Sequence, residues 1–273
     1  MMPAAVTVSL VPEARGGPFV FWDGLADACQ RAASLGFDAI EIFPPDAAAI
    51  DVATVRELIT RHRLKVAAVG TGGGWVRHKL TLTHADAAIR RDARSFIAAL
   101  IERAGALAAP AIIGSMQGRS EGSVSRDQAL AWLAEGLDEL SALAAGHGVP
   151  LLYEPLNRYE TNLFNRIGDA ARWLEARKLT RVQILADLFH MNIEEADSAA
   201  ALREAGRFVG HVHFADSNRR AIGFGHTSVP PVIAALHDIG YQGYLSAEIL
   251  PLPDGQAAAA QTMAAFRAAT GRP

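Results

Sequence analysis

The stretch VQILADLFHMNIEE, residues 182–195, decides how this chain is to be read. It opens on an apolar run, Val182-Gln183-Ile184-Leu185-Ala186, and then breaks into Asp187, His190 and the acidic pair Glu194-Glu195. On one helix, Asp187 and His190 would be no more than neighbours on a face. If the apolar run is a buried strand, Asp187 leaves its C-terminal end and can meet groups leaving other strands. The rest of the chain decides between the two.

The same pattern of short apolar run, loop and helical segment recurs. Candidate strands lie at residues 6–10, 39–43, 66–69, 111–113, 149–153, 183–186, 209–214 and 244–247. Glycines that stop helices precede several of them, as in Leu35-Gly36-Phe37 and Ile239-Gly240-Tyr241. Between the strands, residues 87–108 carry Ile89, Phe96, Ile97, Leu100 and Ile101 at helical spacing, opened by Thr83-x-x-Asp86 in a capping-box pattern. Ser125-x-x-Gln128 opens another helix with Leu130, Leu133, Leu137 and Leu140 on one face. Strands alternating with helices imply parallel strands joined by crossovers. Eight such units favour closure into a (β/α)8 TIM barrel over an open doubly wound sheet. A barrel takes about 250 residues, and no linker or low-complexity segment divides the chain, so residues 1–273 are expected to form one barrel domain.

Half of the residues are hydrophobic, a fifth are charged, and the formal net charge is −3. That balance argues against a nucleic-acid or anionic-membrane partner. The single cysteine, Cys29, lies in an Ala-rich amphipathic stretch and reads as a small core residue. The first residues lack a basic segment followed by an apolar one, and no apolar run approaches the ~18 residues of a membrane span. The expected location is the cytoplasm.

Active sites of such barrels sit at the C-terminal ends of the strands. Strand five runs into Glu154, strand six into Asp187, strand seven carries His211 and His213, and strand eight runs into Glu248. Glu154, Asp187, His213 and Glu248 are therefore expected at equivalent heights on adjacent strands. Three carboxylates brought together would raise one another's pKa values unless a cation neutralised them. Three carboxylates and one imidazole suit one hard divalent ion, Mn²⁺, Mg²⁺ or Co²⁺, and zinc would also accept them. Of the two histidines, His213 is taken as the one facing the barrel axis because it lies nearer the strand end. His211 is assigned to the helix layer.

The runs YEPLNRYET, ILADLFHMNIEE, HVHFADSNRRAIGFGH and AEILPLP resemble the sugar isomerase/epimerase superfamily with a xylose-isomerase-like barrel. Within it they are most similar to the D-tagatose 3-epimerase group of ketose 3-epimerases. Two earlier stretches, AVGTGGGWVRHKLTLTHAD and IIGSMQGR, resemble the 5-keto-L-gluconate epimerases more closely still. The resemblance spans residues 66–254. It implies metal ligation by Glu154, Asp187, His213 and Glu248, with Mn²⁺ the first choice, and acid/base roles for Glu154 and Glu248. It implies that Glu160, His190 and Arg219 hold substrate oxygens, and that the protein is a dimer or tetramer acting on a small sugar or keto sugar acid. The sequence departs from the closer relatives at Ile222, where they have proline, and at Ser228, where they have aspartate, which puts the shape of the loop after strand seven in question. The glycines at 72–74 and 114 would leave room for substrate.

The chemistry implied is inversion of the carbon beside a ketone. A divalent cation would polarise the carbonyl, a cis-enediolate would form, and two carboxylates would serve as base and acid. Rival readings on the same scaffold are a lyase of the keto-inositol dehydratase type, an aldose–ketose isomerase and, more remotely, an apurinic endonuclease. The last would need further histidines on the earlier strands, which end here in Gly, Thr, Ser and Met. On this reading Asp187 ends strand six, His190 lies in the following loop, and Glu194-Glu195 begin the next helix.

Overall fold

Alternation of side chains along short apolar strands builds both layers of this molecule. The computed structural model describes residues 2–272. Its strands are β1 (Ala4–Ser9), β2 (Ala39–Phe43), β3 (Lys65–Gly70), β4 (Ala111–Ile113), β5 (Leu151–Tyr153), β6 (Val182–Asp187), β7 (Val209–His213) and β8 (Leu245–Ala247). All neighbours pair in parallel, and β8 returns to β1, so the sheet closes into a barrel. The helices that connect successive strands are α1 (Leu25–Leu35), α2 (Val52–His62), α3 (Gly73–His78), α4 (Ala87–Ala106) and α5 (Arg126–Gly146). They continue with α6 (Ile167–Ala176), α7 (Leu188–Glu194), α8 (Ser198–Ala205) and α9 (Val229–Asp238), and α10 (Gly255–Thr270) follows β8. The (β/α)8 TIM barrel expected from the sequence is the fold observed.

Outward-facing strand residues such as Val6, Ile40, Ile42, Tyr153, Ile184 and Val212 pack against the helices in one continuous core. The inward-facing residues form separate layers. Ala5, Ala39 and Ala67 close the N-terminal end of the barrel with Tyr244. Above them lie Ala68, Ile112, Leu152 and Leu185. The interior is thus filled by small and branched side chains low down and turns polar towards the C-terminal rim, which is where loops bring functional groups in this fold.

Several helix starts follow directly from the sequence. Ser125 caps α5 by accepting from the Gln128 N–H, as its pattern predicts. At α4 the expectation needs correcting. Asp86 is itself the N-cap, accepting from the Ala88 N–H, whereas the Thr83 hydroxyl donates to the carbonyls of Gln117 and Arg119. A short polar side chain takes whichever backbone partner is nearest, and here that is the loop after β4. Gly36 ends α1 in the left-handed region, with φ 88°, as a helix-stop glycine should.

Candidate active site and metal centre

The stretch that decided the fold also organises the site. Asp187 ends β6 and at once becomes the N-cap of α7, its Oδ1 accepting from the Phe189 and His190 N–H groups. The segment after Asp187 is therefore helical and not the loop expected of it. Glu194 and Glu195 close this short helix instead of opening the next. Glu194 accepts from Arg158, and Glu195 accepts from the Ile167 N–H at the start of α6. Because Oδ1 is used for capping, Oδ2 of Asp187 is left to face the barrel axis, 3.2 Å from His213 Nδ1.

Four ligand-bearing groups converge there. One atom from each of Glu154, Asp187, His213 and Glu248 lies within 4.8 Å of the others. They do not share one row of the sheet. Asp187 pairs directly with His213, but Glu248 lies two residues beyond Ser246, the partner of His213 on β8. Tyr153 pairs with Ile184, which sets Glu154 opposite Leu185. The stagger of tilted strands in a closed barrel brings these offset residues to one point, so equivalent height holds in space and not in register.

His211 does not lie in the helix layer. Residues two apart on a strand point to the same face, and both histidines face the barrel interior, their ring centroids 5.6 Å apart. His211 Nε2 meets Glu41 Oε2 at 2.8 Å, and His213 Nε2 meets Glu41 Oε1 at 3.1 Å. Glu41, on β2, is 4% exposed and is the site residue that sequence reasoning missed. Its signal was visible as a lone charge at the centre of the apolar run Ala39-Ile40-Glu41-Ile42-Phe43.

The remaining groups line the cavity above the cluster, of about 440 Å³. Arg219 reaches in from the loop after β7, pairs with Glu248, lies 3.2 Å from Asp187 Oδ2 and stacks its guanidinium over Phe189. Its backbone is in the left-handed region, φ 58°, and is held from both sides. Its N–H donates to the Asp216 carbonyl, and its own carbonyl accepts from Leu250. The Asp216 carboxylate pins this loop by accepting from the N–H groups of Ser217, Gly223, Gly225 and Thr227. The Asn157 N–H donates to His190 Nδ1 at 3.2 Å, which leaves the ring proton on Nε2, facing the cavity. Glu160 accepts from the Asn157 side chain and stands at the cavity edge. All seven expected site residues thus line one cavity or its floor.

The glycines after β3 and β4 serve the packing first. A Cβ at Gly70 or Gly72 would lie 2.8 Å from the Phe43 ring, and one at Gly114 would lie 2.5 Å from Glu154 Oε2. Of the two departures from the closer relatives noted in the sequence, Ile222 is buried, with its carbonyl held by Gln261. Ser228 stands at the N-cap of α9 without a side-chain capping bond. Neither lines the cavity above the cluster.

The electrostatics suit a cation. Burial pushes the Glu154 carboxyl up to about 7 and also raises Glu248. Burial opposes charge on Asp187, but the Arg219 guanidinium overcomes it and holds that carboxyl below its usual range. Burial pushes the His190 ring down to about 3, so it is neutral. Glu154 Oε1 is buried without a hydrogen-bond partner, although buried polar atoms normally have one. An orphaned carboxylate oxygen within a mainly oxygen donor set fits a hard divalent ion.

Residues 29–269 match the family described as xylose isomerase-like TIM barrel. The chain is 30% identical to the D-psicose 3-epimerase of Ruminiclostridium cellulolyticum over 223 residues, 78% of this chain and 74% of that enzyme. It is 38% identical to the 3-dehydro-D-guloside 4-epimerase of Escherichia coli over 113 residues, 41% of this chain and 43% of that enzyme. The apo crystal structure of the 3-keto-D-glucoside 4-epimerase of E. coli shares the fold, with a TM-score of 0.82 at 24% identity, over 98% of this chain and 100% of that one. Matched by the family model over residues 29–269, the chain belongs to the xylose isomerase-like TIM barrel family.

Proposed function

We propose that the protein is a divalent-metal-dependent sugar epimerase that inverts the carbon beside the ketone, in the C3 manner, of a ketose or keto sugar acid. The observation that carries this reading is the pair of glutamates, Glu154 buried and Glu248 half-buried, brought together from the ends of β5 and β8. Glu154 Oε1 and Glu248 Oε2 lie 3.5 and 3.4 Å from the same His213 nitrogen. A divalent ion held by Glu154, Asp187, His213 and Glu248, with Mn²⁺ preferred over Mg²⁺ or Co²⁺, would supply Lewis acidity towards the carbonyl and adjacent hydroxyl oxygens.

The protein's own groups account for the rest. Inversion needs a proton removed from one face of a carbon and returned to the other, and one glutamate can take it while the second delivers another. Glu154 and Glu248 reach the same point from different strands, which suits one to take the proton and the other to return one. The cis-enediolate left by proton removal carries charge on oxygen. His190 Nε2 and Arg219 Nη1 lie 3.2 Å apart at the cavity wall, and a substrate oxygen on the cavity side of the pair would accept from either. Glu160 can accept from a neighbouring hydroxyl. Phe43, Leu156 and Phe189 line the same cavity and limit water around the reacting carbon. A single base moving a proton between adjacent carbons would suffice for an aldose–ketose isomerase, so the pair favours epimerisation. The reading extends to a homo-oligomer acting in the cytoplasm on a free small molecule, supported by the family resemblance and the net charge of −3. Among the described residues no helix is long and apolar enough to cross a membrane.

A panel of ketoses and keto sugar acids assayed with Mn²⁺, Co²⁺ and Mg²⁺ in D₂O tests the proposal. Deuterium is expected at the inverted carbon of the product. Turnover without solvent exchange would overturn proton transfer through the glutamates, and growth of a conjugated carbonyl absorbance would favour a lyase.

A further inference from the structure

His213 has two ring nitrogens, and they face different partners. Nδ1 looks into the carboxylate cluster, 3.2 Å from Asp187 Oδ2 and 3.4 Å from Glu248 Oε2. Nε2 looks down the barrel to Glu41 Oε1 at 3.1 Å, and the other oxygen of Glu41 meets His211 Nε2 at 2.8 Å. Glu41, His211 and His213 are all at least 96% buried, and Glu41 reaches the histidines of β7 from β2. A carboxylate in a barrel core is costly unless paired, and an apolar residue there would fill the same space. The charge therefore calls for a purpose other than packing.

A neutral imidazole carries one N–H and one lone pair, and the partner of one nitrogen decides what the other can do. An ionised carboxylate only accepts. Glu41 turns one oxygen to each ring, Oε1 to His213 Nε2 and Oε2 to His211 Nε2, and no other hydrogen-bond partner among the described residues competes for them. Facing that carboxylate, Nε2 of His213 donates, so a neutral ring that bound a cation would present its Nδ1 lone pair beside Glu154, Asp187 and Glu248. Without Glu41, the Nδ1–H tautomer becomes available, and it points a proton where a cation would sit. His211 donates to the second Glu41 oxygen and keeps the carboxylate aimed. We infer that Glu41, oriented by His211, is a positioning residue that fixes His213 with its proton on Nε2 and its Nδ1 lone pair aimed at the cation centre. This rests on the metal-dependent reading above. A carboxylate on the outer nitrogen of a ligating histidine typically accounts for about 10- to 100-fold in metal affinity.

The test is titration of the metal-free protein with Mn²⁺ and with Co²⁺ against a competing chelator, with the visible spectrum of the Co²⁺ form and the melting temperature of the metal-free form as companion measurements. Glu41→Gln, whose amide donates as well as accepts, should lower affinity about 10- to 100-fold and alter the Co²⁺ spectrum, while the metal-free protein melts as the parent does. His211→Leu should weaken affinity in the same direction by less. His211→Gln, which keeps an N–H at similar reach, should restore it, and this pair decides the matter if Glu41→Gln does not fold. Equal affinity in the parent, Glu41→Gln and His211→Leu overturns the inference, as does a fall in melting temperature with affinity intact, which marks a purely structural ion pair. Two ions bound per parent chain would also overturn it, because Glu41, His211 and His213 would then be a second site. A parent that takes up neither ion overturns the metal-dependent reading and this inference with it.

Discussion

The two halves of the barrel end their strands differently. β5 to β8 deliver Glu154, Asp187, His213 and Glu248 to one point, whereas β3 ends in Gly70, β4 is followed by Gly114, and the aromatic wall is set by Phe43 of β2. One half carries the charge, and the other shapes the space it works in. The division is not a matter of separate regions, because Gly114 is small for the sake of a second-half side chain, Glu154, and Glu41 from β2 holds a second-half histidine. Each half is incomplete without the other.

The largest effect should come from the charged half. Glu248→Gln and Glu154→Gln are each expected to lower kcat by roughly 10²- to 10⁴-fold, with substrate binding by Glu248→Gln close to the parent in equilibrium titrations. Near-parent turnover by either variant would remove it from the acid/base pair. The shaping half should matter next. Gly114→Ala puts a methyl group against Glu154 Oε2 and should reduce kcat by about 100-fold through misplacement of that carboxylate, at little cost in thermal stability. An unchanged kcat would mean that Glu154 moves freely and that the division of labour is loose.

A smaller effect is expected at the loop that carries Arg219. Asp216→Asn replaces a carboxylate that accepts from four backbone N–H groups and should cost about 2–3 kcal/mol in denaturant unfolding at neutral pH. Burial opposes the charge of Asp216, but those N–H groups lower its pKa below the ordinary value. A lowered folded-state pKa contributes stability that is present above the unfolded value and is lost as pH falls through the folded one. The stability gap between the parent and Asp216→Asn should therefore close as pH drops below the usual carboxylate range. A gap independent of pH would assign the loss to geometry and not to charge. The smallest effect belongs to Cys29, buried in α1 far from the chemistry. Burial pushes its thiol up to about 11, so a thiol reagent at neutral pH should label the folded protein far more slowly than the unfolded one, and Cys29→Ala should leave kcat unchanged.

Much of this was legible beforehand because it depends on local pattern. Apolar runs such as Ile184-Leu185-Ala186 and the leucine face of α5 show their burial by spacing alone, and a strand that stops at a carboxylate marks a rim position. What could not be read depends on contacts between distant residues. Thr83 looked like a helix cap and instead holds the loop after β4, because only the folded chain places that backbone within its reach. His211 was assigned to the wrong side of β7, although a spacing of two already puts it on the His213 face. The role of Glu41 depends on residues 170 and 172 positions away along the chain, a separation over which no pattern in the sequence carries information.

The sequence by itself determined the parallel eight-stranded closure and which residue types stand at the rims of β5 to β8, because periodicity and strand-end position are local properties of the chain. Only the tertiary structure decided which atom of each side chain does what: Oδ1 of Asp187 caps α7 while Oδ2 faces the axis, and Nε2 of His213 turns to Glu41 while Nδ1 faces the cluster. The physical reason is the stagger of the closed barrel, which brings residues from different sheet rows to one point and so sets the choice of partner by geometry across the interior, not by position along the chain.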